Sequence, residues 1–218
     1  MVPYSLRTIF TFTLMAMTVR CQYGSQPDIK LEEHRITLGD QIPWKKGLCK
    51  NEMQLLQPDF QAERFFSGYW YEEKSMGAFF SHLDRKCITI HSIFLDDHVN
   101  MTFSEYIPLI FSTVSQNVVV TLEDMKRPIF NVTIPFIGMT IINMPVSVLS
   151  TDYDNYALIY SCSHSPLGLD GYITEMAFVL RRKRGDKSNG LSIRAEAWKN
   201  GIKYEDFTDQ DNTKCPKT

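Results

Sequence analysis

The chain has 218 residues, of which 44% are hydrophobic and 22% charged, and its formal net charge is −2. This near-neutral balance argues against nucleic acid or an anionic membrane surface as a partner, and the short basic run at 181–187 is typical of a solvated turn. The length suits one domain with a sizeable core, even after removal of an N-terminal leader.

The N-terminus predicts a secretory signal peptide. Residues 9–19 form an apolar run without charge, preceded by Arg7. A helix needs about 20 apolar residues to cross a bilayer, so the shorter run is typical of the hydrophobic part of a signal peptide. We expect residues 1–21 to be that peptide, with a signal anchor or a buried strand as alternatives. Because no later stretch is long and apolar enough to span a membrane, the chain is predicted to be secreted and extracellular.

Cysteines and glycosylation triplets agree with export. If Cys21 leaves with the signal peptide, the remaining cysteines are Cys49, Cys87, Cys162 and Cys215. An even number in an exported chain indicates disulfides, and three connectivities are open. Zinc coordination is the alternative, but there is no C-x-x-C pair and the cysteines are scattered. Asn100 and Asn131 begin N-x-T triplets and are predicted glycosylation acceptors.

The body of the chain is predicted to be β-structure followed by one helix. Segments rich in β-branched and aromatic residues occur at 87–94, 117–122, 130–142, 146–149, 156–160 and 172–180. Turn formers such as Asp96-Asp97 and residues 152–155 separate them. Many short strands without helical patterns between them predict a sandwich or an up-and-down barrel. Residues 191–199 contain good helix formers, and Asn200-Gly201 is a suitable stop.

Three motifs stand in the order found in lipocalins. The G-x-W-Y-E opening of that family resembles residues 68–72, and its T-D-Y loop resembles residues 151–153 with the strand that follows. The arginine of the third motif falls at Arg182, although Arg181 stands beside it where one arginine is usual. The tail from Thr208 to Pro216 is similar to the end of apolipoprotein D and of insect bilin-binding lipocalins.

The resemblance covers residues 47–218 and implies an all-β fold. It implies an eight-stranded antiparallel up-and-down β-barrel with one C-terminal α-helix packed outside, and residues 22–46 look like a poorly structured N-terminal extension. The residues that would hold the barrel together are Gly68, Trp70, Thr151, Asp152, Tyr153 and Arg182. By the same resemblance, Arg182 lies across the indole of Trp70 in a cation–π contact at the closed end. The disulfides implied by analogy join Cys49 to Cys162 and Cys87 to Cys215.

The interior of such a barrel is where a ligand would bind. Side chains of a strand alternate between its two faces, so placing Trp70 inward and carrying over the family's register gives the lining candidates. These are Ile88, Ile90, Ser92, Phe94, Met144, Val146, Val148, Ala157, Ile159, Met176, Phe178 and Leu180. The set is mainly apolar and offers neither lysine nor cysteine for a covalent link. It predicts noncovalent binding of a bilin, carotenoid, retinoid, sterol or fatty acid, with no required cofactor and no metal. The alternative is a barrel whose bulky side chains meet and leave no cavity.

The sequence carries no H-E-x-x-H, G-x-S-x-G or Walker-type motif. We therefore predict a carrier of a small hydrophobic ligand and no enzyme, although isomerase or synthase activity of the kind known in some lipocalin-like proteins is an alternative. A second alternative is a secreted interaction protein, in which ligand binding is secondary. It would bind a cell-surface receptor or a second copy through loops at the barrel mouth, such as those around Pro108 and at residues 126–128.

Overall fold

A computed structural model of the protein describes residues 44–49, 55–77, 85–95, 98–136, 139–164 and 171–216. The predicted signal peptide and the predicted extension up to residue 43 lie outside these ranges. Within them, the described part of the chain is dominated by antiparallel strands, with short helices before the first long strand and after the last.

Eight long strands form a closed barrel, which confirms the predicted fold. In chain order the strands are β1 (Trp44–Lys46), β2 (Gly68–Met76), β3 (Lys86–Leu95), β4 (His98–Ile107), β5 (Ser112–Leu122), β6 (Ile129–Phe136), β7 (Met139–Thr151), β8 (Tyr156–His164), β9 (Tyr172–Arg181) and β10 (Thr208–Asp209). Each strand from β2 to β8 pairs with the next one along the chain, and β9 pairs back with β2 to close the barrel. The short strands β1 and β10 add to the outside of this ring, on β9 and β2.

Two predicted boundaries were wrong. The segment 130–142 was predicted as one strand, but it is split between β6 and β7, which pair from Phe136–Met139 onwards. Apolar and β-branched residues on both arms of this hairpin concealed the turn in the sequence. The last residues of the predicted extension, Trp44–Lys46, pair with Tyr172–Thr174 of β9 and so belong to the sheet. Strand β4 is a further element that was not predicted.

The barrel has a closed end and an open end. At the closed end, helix α1 (Ala62–Phe65) precedes β2, and its residue Phe65 packs against Trp70 and Phe130. The connection between β4 and β5 lies at the opposite, open end and contains a 3-10 helix over Pro108–Ile110. The alternating strand directions place residues 123–128 at the closed end, where the carbonyl of Pro128 accepts a hydrogen bond from Val148. The placement of residues 126–128 at the barrel mouth was therefore wrong.

Helix α2 (Gly190–Lys199) lies outside the barrel, as predicted. It buries Ile193 and Ala197 in a cluster with residues from the outward faces of β7, β8 and β9, including Leu149, Leu158 and Val179. The barrel wall thus carries apolar packing on both faces along these strands.

Two disulfides tie the flanking segments to the barrel. Cys49 is bonded to Cys162 of β8, and Cys87 of β3 is bonded to Cys215 in the tail. These are the pairs that the lipocalin resemblance implied. The first holds the segment that follows β1, and the second holds the chain after β10, so both termini of the described fold are anchored.

Candidate functional site

The floor of the barrel is built on Trp70, which is almost fully buried. Its indole Nε1 donates a hydrogen bond to the carbonyl of Phe65 at 2.8 Å. The guanidinium of Arg182 lies 3.7 Å from the centroid of the indole ring, and it also donates to the carbonyls of Tyr153 and Arg64. Burial lowers the pKa of Arg182 to about 10, so the side chain stays charged at neutral pH and the cation–π contact is maintained.

The two adjacent arginines of the third motif serve opposite faces of the barrel wall. Arg182 closes the floor, whereas Arg181 is buried on the outer side and forms an ion pair with Glu73 at 2.5 Å. Its guanidinium also donates to the carbonyl of Ser188. The third lipocalin motif usually has one arginine, and here Arg182 occupies its position. The additional Arg181 holds the segment that leads into α2.

Residues of the T-D-Y loop make a hydrogen-bonded turn at the closed end. Thr151 Oγ1 donates to the carbonyl of Tyr156 and accepts from the amide of Tyr153. Asp152 Oδ1 accepts from the amides of Asn155 and Tyr156. Burial acts to raise the pKa of Asp152, but these hydrogen bonds outweigh it and the net shift is downward. The loop is thus a cap of the hairpin rather than an acid–base site.

The structure places the predicted lining residues on the inner wall. Val146, Val148, Ala157, Ile159 and Leu180 are buried in one apolar cluster with Trp70, and Ile90, Phe94, Met144 and Phe178 pack against it. Ser92, Met176 and Ile88 are buried and share the inner face by strand alternation. Their contact with a ligand stays a prediction.

Strands β4 to β6 contribute inner-wall residues that the sequence analysis missed. They are Val99, Met101, Phe103, Val118, Val120, Phe130 and Val132. The period-two alternation of Val99, Met101 and Phe103 was the available signal. The sequence analysis identified no strand at these positions and considered Asn100 only as a glycosylation acceptor.

The inner wall is not fully covered by protein atoms. Seven apolar side chains that pack against the inner cluster are only half-buried, although they lie inside a closed ring of strands: Ile90, Phe94, Met101, Phe103, Leu122, Met144 and Phe178. Large apolar side chains that keep accessible surface inside a barrel leave room for another apolar body. This observation favours a hollow interior over a solid one.

Polar groups also face the interior, and the sequence analysis missed most of them. Glu72 is 4% exposed, and burial raises its pKa to about 7, which a hydrogen bond from Ser75 and the charge of Arg85 only partly offset. Glu105 forms an ion pair with Arg85 at 2.5 Å and adds to the rise in the pKa of Glu72. Ser161, on β8 beside Met176, is a further buried polar residue of the inner face.

A separate groove of about 280 Å³ lies on the outer face of β3 and β4. It is lined by Tyr69, Cys87, Thr89, His91, Thr102, Ser104, Tyr106, Thr113, Arg184 and Pro216. Tyr69 stacks on His91 with ring centroids 4.3 Å apart, and Arg184 lies over Tyr71. These residues point away from the interior, so the groove and the predicted ligand site are on opposite sides of the wall.

Two further features bear on function. Among the residues that the structure describes, no group of three or more His, Cys, Asp or Glu side chains is placed to hold a metal ion. No helix within the described ranges is long and apolar enough to cross a membrane.

Comparisons with solved structures show that the chain has a lipocalin-like fold. Insecticyanin from the tobacco hornworm Manduca sexta is 19% identical, with a TM-score of 0.65 over 78% of this chain and 89% of that one. H1 crustacyanin from the lobster Homarus americanus is 17% identical, with a TM-score of 0.61 over 79% and 93%. A biogenic amine-binding protein is 23% identical, with a TM-score of 0.55 over 71% and 83%. At these identities the likeness concerns the fold.

The family follows from the sequence itself. A family model described as Triabin matches residues 42–191, and the chain belongs to that family. No curated protein matches the sequence. The lipocalin resemblance is thereby confirmed, whereas the closer likeness to apolipoprotein D stays a prediction.

Proposed function

We propose that the protein is a secreted carrier that binds one small hydrophobic ligand noncovalently inside its barrel. The observation that supports this most directly is the set of half-buried apolar side chains on the inner wall, above a floor sealed by Trp70 and Arg182. A structural relative that is named for binding biogenic amines is consistent with a small-molecule carrier.

Magnitudes favour an apolar ligand body. Burial of about 400 Å² of ligand surface at about 25 cal/mol per Å² contributes about 10 kcal/mol before losses. Immobilisation of the ligand costs several kcal/mol, which leaves an affinity in the micromolar to nanomolar range. Bilins, carotenoids, retinoids, sterols and fatty acids all offer such a body. The predicted lining residues include neither lysine nor cysteine, which supports noncovalent binding.

Secretion is part of the proposal. It rests on the apolar run at residues 9–19 and on the two disulfides, which persist in oxidising compartments. Asn100 is exposed on β4, and Asn131 is half-buried on β6. We expect expression in eukaryotic cells to deliver the chain to the medium without residues 1–21. Treatment with an N-glycosidase should then increase its electrophoretic mobility, and an Asn100→Gln variant should lose part of that change. Retention of the uncleaved chain in the cells would contradict this part of the proposal.

Titration with an apolar fluorescent probe tests the binding function. The full chain, stripped of lipid, should bind N-phenyl-1-naphthylamine at one molecule per chain with a micromolar or lower dissociation constant. An Ile90→Asn variant should bind about tenfold more weakly, because it places an amide on the inner wall. An Ile93→Asn variant is the matched control: it carries the same change on the same strand, on the exposed outer face. Absence of saturable binding, or equal loss in both variants, would overturn the proposal.

A second function is favoured by one observation at the open end. Leu109 and Phe111, at the tip of the hairpin between β4 and β5, are 86% and 84% exposed. Large apolar side chains so exposed on a loop are typical of contact with a partner. Under this alternative the protein binds a cell-surface receptor or a second copy of itself. A Leu109→Ser/Phe111→Ser variant should then lose cell binding or self-association in sedimentation experiments while its probe affinity is unchanged.

A further inference from the structure

We propose that the barrel interior contains an anionic subsite, formed by the carboxylates of Glu72 and Glu105, that binds a protonated amine on the ligand. The inference rests on the proposed carrier function and makes it more specific. It assigns the ligand an apolar body with one cationic nitrogen, where the sequence alone suggested a purely hydrophobic molecule.

Strand register places both carboxylates at one level of the barrel. Trp70 on β2 pairs with Ile90 on β3, and Ile90 pairs with Phe103 on β4, which makes one row of inward apolar residues. Glu72 and Glu105 each lie two residues further along their strands, towards the open end. They therefore share the next inward row, on either side of β3, with backbones two strand spacings or about 10 Å apart. A ligand resting on the apolar row would have its upper end between them.

The acidic and basic side chains described at this height of the barrel do not balance. Within the described ranges, Arg85 is a cation that acts on both carboxylates: it forms an ion pair with Glu105 and lowers the pKa of Glu72. The inward residues of β9 that adjoin Glu72 are Leu180 and Phe178, which carry no charge. When Glu72 ionises, the two carboxylates and Arg85, the charged side chains that the structure describes at this height of the barrel, therefore carry a net negative charge. A ligand cation would compensate that charge, whereas a ligand carboxylate would add a third acid.

Two buried serine hydroxyls without hydrogen-bond partners are a second indication that polar atoms of a ligand bind in the interior. Ser92 and Ser161 are 1% and 2% exposed, and neither Oγ atom has a hydrogen-bond partner. Buried hydroxyls normally have one. Ser161 pairs with Met176, two residues from Phe178, and Phe178 pairs with Ser75, the residue that hydrogen-bonds to Glu72. The hydroxyls thus lie on the same inner wall as the acids, where a ligand with more than one polar atom would reach them.

Three probes that share a 2-phenylethyl group and differ in its polar substituent test the charge preference. The full chain is titrated with 2-phenylethylamine, 2-phenylethanol and 3-phenylpropanoate, each by displacement of N-phenyl-1-naphthylamine at pH 8. We expect the amine to bind about tenfold or more tightly than the alcohol, and the carboxylate to bind most weakly. Binding of the carboxylate with equal or higher affinity than the amine would overturn the proposal.

Substitution of the two glutamates tests whether they cause the preference for the amine. Glu72→Gln should abolish the advantage of the amine over the alcohol and leave the affinity for the alcohol unchanged. Glu105→Gln should reduce the advantage and also strengthen binding of 3-phenylpropanoate, because it removes one of the two carboxylates that repel a ligand anion. Glu123→Gln, an exposed change at the closed end, is the matched control and should have no effect. Retention of the full amine advantage in both inner variants would refute the subsite.

Acidification supplies an independent readout. Between pH 8 and pH 6 an alkylamine stays protonated, but Glu72 takes up a proton, so the affinity for the amine should fall about tenfold while that for the alcohol stays constant. The Glu72→Gln variant should show no such change. Because the wild-type chain and each variant are first shown to bind N-phenyl-1-naphthylamine, absence of an amine preference in the wild-type chain would contradict the subsite alone. Loss of all probe binding would instead contradict the carrier function.

Discussion

Arg182 connects several backbone segments of the closed end through one side chain. Its guanidinium donates to the carbonyls of Ser67, Tyr69, Arg64, Phe65 and Tyr153 while it covers the indole of Trp70. A planar group with five N–H donors can serve this many acceptors, whereas an ammonium group has three donors and no plane to stack. Arg182 thus stabilises the closed end through the planar shape and the several donors of its guanidinium as well as through its charge.

An Arg182→Lys substitution should therefore destabilise the protein although it preserves the charge. Loss of two or more hydrogen bonds and of the stacked contact should lower the free energy of unfolding by about 2–3 kcal/mol. Urea denaturation followed by tryptophan fluorescence measures this. The same substitution at Arg127, which is exposed in the connection between β5 and β6, should change stability by less than about 0.5 kcal/mol. Equal effects at both sites would show that Arg182 is not a support of the floor.

Glu72 makes stability depend on pH in the direction opposite to most carboxylates. Burial raises its pKa to about 7 in the folded state, whereas an unfolded chain leaves it near its ordinary value. The folded state therefore binds more protons between about pH 4.5 and 7, and stability falls as the pH rises through this range. The size of the effect is about 1.4 kcal/mol for each unit of pKa difference, or about 3 kcal/mol in all.

The difference between wild type and Glu72→Gln isolates this contribution. We expect the variant to be of similar stability near pH 5 and more stable than wild type by about 2–3 kcal/mol at pH 8, because it cannot ionise. Chemical denaturation at half-unit steps of pH measures the difference, in which the titration of the other groups cancels. A difference that does not change with pH would mean that Glu72 ionises as easily in the folded protein as in the unfolded chain.

At the scale of elements, α2 is held to the barrel by one narrow stripe. Ile193 and Ala197 are fully buried, whereas Leu191 and Trp198 on the same helix are 87% and 79% exposed. The two buried side chains of the helix pack in one cluster with outward residues of β7, β8 and β9. Its attachment should therefore depend strongly on Ile193 and hardly at all on Leu191.

Truncation of these two residues should separate their roles. Ile193→Ala removes buried methyl and methylene groups and leaves a cavity, so it should cost about 2–4 kcal/mol. Leu191→Ala is the matched change on the exposed side and should cost less than about 0.5 kcal/mol. Thermal denaturation of the purified variants distinguishes them. Equal melting temperatures would mean that α2 does not pack on the wall through Ile193.

The sequence predicted which residues of a strand face the interior better than it predicted where strands end or which polar residues could bind a ligand. The alternation of side chains along a strand predicted that Met176, Phe178 and Leu180 of β9 face the interior. This prediction is reliable within a regular strand, because successive side chains point to opposite faces. The turn between β6 and β7 was missed, since apolar residues continue across it. Glu72 was missed as a binding residue for another reason. Its place two residues after Trp70 predicts the inner face, but only the three-dimensional neighbours Arg85 and Glu105 show its charge environment.

At the scale of the whole molecule, the barrel wall separates two apolar clusters. The inner cluster includes Trp70, Val148, Ala157 and the predicted lining residues, and the outer cluster contains α2 with the outward residues of β7 to β9. Neighbouring residues of one strand, such as Ala157 and Leu158, belong to different clusters. The outer cluster therefore supports the wall without contact with the interior, and the carrier function and the stability of the shell should be separable.

Ligand stabilisation of variants tests this separation. At a free probe concentration 100 times its dissociation constant, N-phenyl-1-naphthylamine should raise the free energy of unfolding by about 2.7 kcal/mol. The same increment should appear in Ile193→Ala despite its lower starting stability, because the energetic effects of changes without shared contacts add. In Ile90→Asn, at that same probe concentration, the increment should fall by about 1.4 kcal/mol for each tenfold loss of affinity. A reduced increment in Ile193→Ala would show that the two clusters are coupled through the wall, and that α2 helps to shape the interior.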